Sequence, residues 1–260
     1  MMARLALAAL LAPLGRALII SQQDDSKTLD CLCLDWNDVY KKEKKHNVSC
    51  GDGMEFFFLM DTMNVSSERD VHHKVSLGKS NHASQQLLKQ LQGSEIYYEF
   101  CTNFFKRAHF NYCVNKRYQM TREQVPTSKG TWCYVSNKCE LPNIVTPIPG
   151  TDLAVKQCSD IFDVSLGSML IEEAAKVATK QKLDHGLIAG HAYVWKDMLA
   201  KDLDGATMRD IAESNEGTYV YSMKDMFAPR LVIKGTTVYE ETYNDTQSTW
   251  STKCIRDCLW

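Results

Sequence analysis

The chain has 260 residues, with 30 basic and 32 acidic side chains and a formal net charge of −2. Nucleic-acid-binding domains usually carry a clustered excess of Lys and Arg, so this near balance argues against a nucleic-acid partner. Hydrophobic residues make up 44% of the chain, enough to build a true core that disulfide bonds would reinforce without replacing it.

The N-terminus has the pattern of a secretory signal peptide over residues 1–17. Arg4 precedes an apolar run over residues 5–14, and Gly15-Arg16-Ala17 offers a cleavage site. The run is shorter than the ~20 residues that span a bilayer, which favours a cleaved signal over an anchor. The most apolar later window, residues 168–183, is interrupted by Glu and Lys, so we expect no transmembrane segment in the mature chain.

Residues 31–158 are expected to form a cysteine-rich α+β domain. A short strand is predicted for the apolar run over residues 54–60, and an exposed loop for the polar residues 64–81. A short helix is expected over residues 84–90. Ser94 then predicts the N-cap of a second helix, whose apolar side chains recur every four residues at Ile96, Phe100, Phe104 and Ala108.

A strand and then a proline-rich loop are predicted toward the end of this region. The segment GTWCYVS, residues 130–136, is rich in aromatic and β-branched side chains and predicts a strand. A loop with three prolines is expected over residues 141–150.

Residues 159–260 are expected to form a helical region that ends in a β-hairpin and a Cys-x3-Cys tail. Helices are predicted from Ser168 to about Lys182, over residues 187–199, and from Asp204 to Ala212. Strands are expected over residues 219–221, 230–233 and 236–240. The last two are joined by a two-residue turn, Lys234-Gly235, in which glycine supplies the positive φ. The predicted fold class is therefore α+β: a disulfide-stabilised N-terminal α+β domain followed by a helical segment and a terminal β-hairpin.

Ten cysteines, all beyond the expected cleavage point, predict a disulfide framework. They are Cys31, Cys33, Cys50, Cys101, Cys113, Cys133, Cys139, Cys158, Cys254 and Cys258. The even count and the secretory signal favour bridges, because the secretory compartment oxidises thiols. Neither zinc-type C-x2-C pairs nor a redox-type C-x-x-C motif occurs, so no metal site is predicted. Spacing does not fix the connectivity; a pairing of the N-terminal C-x-C with the C-terminal C-x3-C would join two chain ends.

Export would also expose three N-x-S/T sequons to glycosylation, at Asn47, Asn64 and Asn244.

Sequence motifs for catalysis are lacking. The Asp202-Leu203-Asp204-Gly205 stretch suggests a calcium loop, but the first and twelfth loop positions are Ala200 and Ile211 instead of carboxylates. His185 and His191 lie six residues apart, which does not suit shared metal ligation on a helix. No nucleophile elbow, phosphate loop or dinucleotide motif is found, and no cofactor is predicted.

Aromatic side chains are the candidate binding residues. Tyr and Trp stack on sugars or on partner proteins when their rings are exposed, and the candidates are Trp36, Tyr97, Tyr98, Trp132 and Tyr134. The alternative for Trp132 is a core position against the disulfide of Cys133.

Several phrases resemble an uncharacterised, cysteine-rich secretory protein family of dinoflagellate algae. These are CLDWNDVY from Cys33, CGDGMEF from Cys50, EFCTNFF from Glu99, CVN from Cys113 and WCYVS from Trp132, together with the tail LVIKGTTVYE from Leu231. After Cys139 the family tends to have a Leu-Asn-Gly-Gly loop, whereas this chain continues Leu141-Pro142-Asn143. The resemblance implies no catalytic residues. It raises delivery to a complex plastid as a further destination, although residues 21–27 are short and acidic, unlike a transit segment.

These patterns together predict a secreted (extracellular) or endomembrane-lumenal, disulfide-rich glycoprotein that binds protein or carbohydrate and performs no catalysis. The alternative is a lumenal thiol-disulfide oxidoreductase that uses a close-spaced pair, either Cys31 with Cys33 or Cys254 with Cys258.

Overall fold

The structure is a computed structural model, and it describes residues 29–41, 46–59, 89–119, 130–214, 216–222, 224–225, 227–246 and 249–258. The expected signal peptide, the expected loop over residues 64–81 and almost all of the expected helix over residues 84–90 lie outside the described residues.

The described chain is a mixed α/β structure, as expected. Its α-helices are α1 Trp36–Tyr40, α2 Glu95–Tyr97, α3 Ile171–Gln181, α4 His185–Ala192 and α5 Gly205–Ser214. Helix α2 continues directly as a π-helix over Tyr98–Phe105. The strands are β1 Val114–Asn115, β2 Tyr118–Gln119, β3 Thr131–Ser136, β4 Val145–Pro147, β5 Leu153–Gln157, β6 Val194–Asp197, β7 Thr218–Tyr221, β8 Arg230–Lys234, β9 Thr237–Asn244 and β10 Thr249–Arg256.

A four-stranded sheet, in the order β1-β3-β5-β4, anchors the N-terminal half. Its central strand β3 has four consecutive buried residues, because both faces of the sheet are covered. Trp36 of α1 packs edge-on against Trp132 of β3, with ring centroids 4.9 Å apart, and its indole N–H donates to the Tyr112 carbonyl at 2.9 Å. The large core around these rings extends to residues beyond position 158, including Trp195, Tyr219 and Val232.

A six-stranded sheet, in the order β10-β9-β8-β7-β6-β2, forms most of the C-terminal half. Side chains alternate between its two faces along each strand. One face packs against α5 through a compact apolar cluster, which consists of Ile211, Val220, Leu231, Ile233 and Val238. The opposite face carries Tyr219, Tyr221 and Arg230 and turns toward α4 and the π-helix, so it positions the site described below.

All ten cysteines are paired, which confirms the disulfide framework. The bridges are Cys31–Cys139, Cys33–Cys133, Cys50–Cys101, Cys113–Cys158 and Cys254–Cys258. The expected link between the two chain ends is wrong. The N-terminal pair is bridged to β3 and to the turn that follows β3, while the C-terminal pair is bridged to itself.

Several expected elements form as predicted. Ser94 caps α2 by accepting from the Tyr97 N–H at 3.2 Å, and Asp204 caps α5 by accepting from the Thr207 N–H at 2.6 Å. Gly235 adopts φ 57° in the turn between β8 and β9.

Other expected elements need correction. The described part of the expected strand, residues 54–59, is not a strand. It forms turns and a 3-10 helix over Phe57–Leu59, because its rings pack into the core instead of pairing along an edge. Phe58 lies 5.2 Å from Trp195, measured between ring centroids. The helix expected over residues 187–199 ends at Ala192, where the chain enters β6. Ser168 lies in a 3-10 turn, and α3 begins only at Ile171.

Candidate functional site

A cleft of about 890 Å³ lies between the α2/π-helix segment, the N-terminal part of α4 and the aromatic face of the six-stranded sheet. Pockets that hold small ligands usually measure about 300–1,000 Å³ and combine apolar walls with a few polar groups. The size and position of the cleft make it the candidate ligand site.

Aromatic rings dominate the walls of the cleft. The sheet contributes Trp195, Tyr219, Tyr221, Tyr243 and Trp250, and the helical wall contributes Tyr97, Tyr98 and Phe100. Strand register explains the sheet half: Tyr219 and Tyr221 are two residues apart on β7, Trp195 pairs with Tyr219, and Trp250 pairs with Tyr243. Tyr219 and Tyr221 are stacked with their centroids 5.8 Å apart, and the five sheet rings are called the platform below. Trp195 and Tyr219 are only 4% and 3% exposed, so Tyr221, Tyr243 and Trp250 are the platform rings that a ligand can reach.

Arg230 lies within this platform. Its guanidinium carbon is 3.6 Å from the centroid of the Trp250 ring and 4.8 Å from that of Tyr221. Its Nη1 donates to the hydroxyl of Tyr219 at 3.1 Å. The arrangement is a cation–π contact on two sides, which holds the guanidinium in one orientation.

Gly186 allows this close packing of α4 on Arg230. A Cβ at position 186 would overlap the Arg230 guanidinium and would approach the Tyr219 hydroxyl to 2.8 Å. Asp184, the N-cap of α4, lies beside the same point and accepts from the Leu187 N–H at 2.9 Å. Glycine at this position therefore sets the distance between the helix N-terminus and the platform.

Glu241 is a buried acid next to Arg230, outside the lining of the cleft. It pairs across the β8–β9 ladder with Arg230, is 2% exposed, and its Oε2 has no hydrogen-bond partner among the described residues. Burial raises the pKa of Glu241 to about 8, with a further contribution from the negative charge of Asp184, while Arg230 acts in the opposite direction. At neutral pH this carboxyl group is therefore mainly protonated.

His191 lines the cleft from α4 and is 1% exposed. Its Nδ1 donates to the Leu187 carbonyl at 2.7 Å, which leaves Nε2 as an acceptor with no partner among the described residues. The ring stacks on Phe104 at 3.9 Å between centroids. Burial lowers the pKa of His191 to about 4, so the ring is neutral at physiological pH.

The candidate aromatic residues fall into two groups. Tyr97 and Tyr98 line the cleft. Trp36, Trp132 and Tyr134 are each 0% exposed, so their rings form the core and offer no face to a ligand. The sheet half of the platform, Arg230 and Glu241 were missed, because their positions are scattered along the chain and no local motif joins them. The only local signal is the period-two spacing of Tyr219 and Tyr221.

The candidate histidines and sequons are placed separately. His185 lies near Thr179 and Thr252, each at 3.3 Å, and not beside the ring of His191. Asn47 and Asn244 are exposed, while Asn64 lies outside the described residues.

Two disulfides lie in contact at the end of the four-stranded sheet. The four sulfur atoms of Cys33–Cys133 and Cys113–Cys158 lie within 4.8 Å of one another, and Sγ of Cys33 is 3.5 Å from Sγ of Cys113. Metal ligation would require thiolates, which these bridges consume. Cys31 and Cys33 are likewise bound to distant partners, so of the two expected redox pairs only Cys254–Cys258 forms a disulfide within itself.

No family model, curated protein or solved structure matches the chain. Among the described residues, no helix combines the length and the apolar character that crossing a membrane requires. The five disulfides fit a secreted or lumenal protein, because oxidising compartments favour such bridges.

Proposed function

We propose that the chain is a secreted or lumenal carbohydrate-binding protein and that the aromatic cleft is its ligand site. The observation that carries the proposal is the platform of stacked rings around Arg230, within a cleft large enough for an oligosaccharide. A sugar ring has an apolar C–H face that packs on aromatic rings and a rim of hydroxyl groups that need hydrogen-bond partners.

The polar groups of the cleft suit such a rim. Arg230 offers N–H donors, and Asp184 offers carboxylate oxygens. The tyrosine hydroxyls both donate and accept. A mixed set of donors and acceptors beside aromatic faces supports a polyhydroxylated ligand over a purely apolar one.

The scaffold supports binding without a large rearrangement. Cys50–Cys101 ties the π-helix that carries Phe100 to the loop before Phe57 and Phe58. A wall fixed in this way loses little conformational entropy when a ligand binds.

The experiment is a glycan array probed with the purified, disulfide-intact protein, followed by calorimetric titration of the best oligosaccharide. Trp250→Ala removes one ring of the platform and should weaken binding about tenfold or more. Phe162→Ala is the matched control, because Phe162 is 87% exposed and does not line the cleft. Equal affinities of the two variants, or an array with no binding, would refute the proposal.

Thiol-disulfide exchange at Cys254–Cys258 is the second candidate function. This bridge closes a loop with a sequence separation of 4 residues, on the edge strand β10, and both cysteines are partly exposed. Exposed bridges are the ones most readily attacked by an external thiolate. The candidate predicts that limiting dithiothreitol opens Cys254–Cys258 before the other four bridges, as followed by alkylation and peptide mass mapping. It also predicts that Cys254→Ser abolishes the reduction of insulin disulfides in an assay in which dithiothreitol is the electron donor.

A further inference from the structure

We infer that the oligosaccharide taken by the cleft is one of amino sugars with free, protonated amino groups; this deepens the proposed function and rests on it. The first support is the charge of the lining. Three carboxylate side chains, Glu95, Glu99 and Asp184, line the cleft, against one cationic side chain, Arg230. Among the described lining residues the acidic groups are therefore in excess.

The charge of Arg230 is offset by an acid of the neighbouring helix. Asp184 and Arg230 lie against the same point above Gly186. Glu241, which pairs with Arg230 across the β8–β9 ladder, is mainly protonated at neutral pH and adds no negative charge. Glu95 and Glu99 line the cleft from the helical wall, and Arg230 is the one basic side chain among the described lining residues.

Glu99 is held in place by its neighbour. Its Oε1 accepts from the Asn103 side-chain amide at 2.9 Å, one turn along the π-helix. That neutral donor fixes the carboxylate without cancelling its charge. A cationic ligand gains from two such carboxylates, while an anionic one is repelled.

The aromatic rings of the cleft also favour a cationic ligand. Aromatic faces attract cations, and the platform already holds the Arg230 guanidinium at 3.6 Å from the Trp250 centroid. A protonated amine carries three N–H donors and no acceptor, so it complements carboxylates and ring faces together.

The test compares two ligands that share a sugar backbone. Deacetylated chitosan oligomers carry free amines, and fully acetylated chitin oligomers of the same length are neutral. Titration calorimetry at mildly acidic pH, where the sugar amines are protonated, should show binding about tenfold tighter for the deacetylated oligomer, with a preference that shrinks in high salt. Oligogalacturonate, an anionic saccharide, should bind more weakly than either.

Variants without these charges test whether Glu95 and Glu99 cause the preference for the deacetylated oligomer. The double variant Glu95→Gln with Glu99→Gln should bring the ratio of the two dissociation constants close to one. Glu213→Gln, at an exposed position of α5 outside the cleft, should keep the ratio of the native protein. A ratio that the double variant leaves unchanged would place the selectivity elsewhere and overturn the inference.

Failure of the inference and failure of the proposed function give different results. If chitin oligomers or other neutral glycans bind as tightly as the deacetylated oligomer, the amine preference is wrong while carbohydrate binding stands. If no glycan binds, neutral or cationic, the proposed function itself is wrong.

Discussion

The stability of the N-terminal half should depend on the protonation of one buried carboxyl group, Glu55. This side chain is 0% exposed. Its Oε1 accepts from the hydroxyls of Tyr134, at 2.6 Å, and of Tyr40, and its Oε2 accepts from the Gly53 N–H at 3.0 Å. Burial raises the pKa of Glu55 from 4.5 to about 7, although the tyrosine hydrogen bonds act in the opposite direction.

Because folding raises the pKa of Glu55, the free energy of unfolding should fall as the pH rises. The folded protein holds the Glu55 proton more tightly than the unfolded chain does. The stabilisation is therefore complete below the unfolded-state pKa of 4.5 and is lost as the pH rises through about 7. The difference between these pKa values corresponds to about 3 kcal/mol of unfolding free energy.

Glu55→Gln removes the titrating group. Its amide oxygen can still accept from the two tyrosine hydroxyls, but its amide nitrogen takes the place of Oε2 and cannot accept from the Gly53 N–H. The variant should be about 1–3 kcal/mol less stable than the native protein near pH 5, because one buried hydrogen bond is lost. Near pH 9 the deficit should shrink by about 3 kcal/mol, since only the native protein then carries a buried charge at this position.

The assay is denaturant unfolding followed by tryptophan fluorescence, with the disulfides intact, at both pH values. Glu241 also titrates in this range, but it is present in both proteins and its contribution cancels in the comparison. Glu213→Gln serves as the control for a surface change. A stability gap between the native protein and Glu55→Gln that is the same at both pH values would refute the argument.

Two further predictions concern α4. Gly186→Ala should weaken oligosaccharide binding about tenfold by displacing Arg230. Gly205→Ala in α5, where the new Cβ meets no atom within 4 Å and lies outside the cleft, should bind as the native protein does. Calorimetric titration of both variants measures the difference. The native protein should lose about 3 kcal/mol of unfolding free energy through His191 when the pH falls from about 7 to 4. The lowered pKa of the buried ring favours folding above the unfolded-state pKa of 6.5, and this contribution is lost as the pH falls through about 4. His191→Phe has no such group, so its stability loss over this range should be smaller by that amount. Unfolding curves with parallel pH dependence for this variant and the native protein would contradict that account.

Local signals predicted the elements that depend on local chemistry. The Ser94 cap, the Asp204 cap, strand β3 and the Gly235 turn are set by a capping side chain, by β-branched and aromatic content, or by a positive φ. Each of these determinants lies within a few residues of the element that it specifies.

The remaining elements depend on tertiary packing. The three adjacent phenylalanines that begin at Phe56 have the composition of a strand, yet contacts with Phe100 and Trp195 fix them in a turn. The segment after Ala192 has helical spacing, but it pairs with β7. The cleft was unpredictable for the same reason, since its rings run from Tyr97 to Trp250 and meet only through sheet register.

The disulfide connectivity has a consequence for biosynthesis. Cys31 and Cys33 leave the ribosome early, but their partners lie 108 and 100 residues further along the chain. The partner of Cys50, which follows after 51 residues, also arrives before those of the first two. In the oxidising lumen proposed for this chain, these three thiols wait together while translation continues, and wrong pairings among them have time to form. Correct folding of this chain should therefore depend on a disulfide isomerase that exchanges wrongly formed early bridges. The yield of correctly folded native-sequence protein should be lower in a host that lacks such an isomerase.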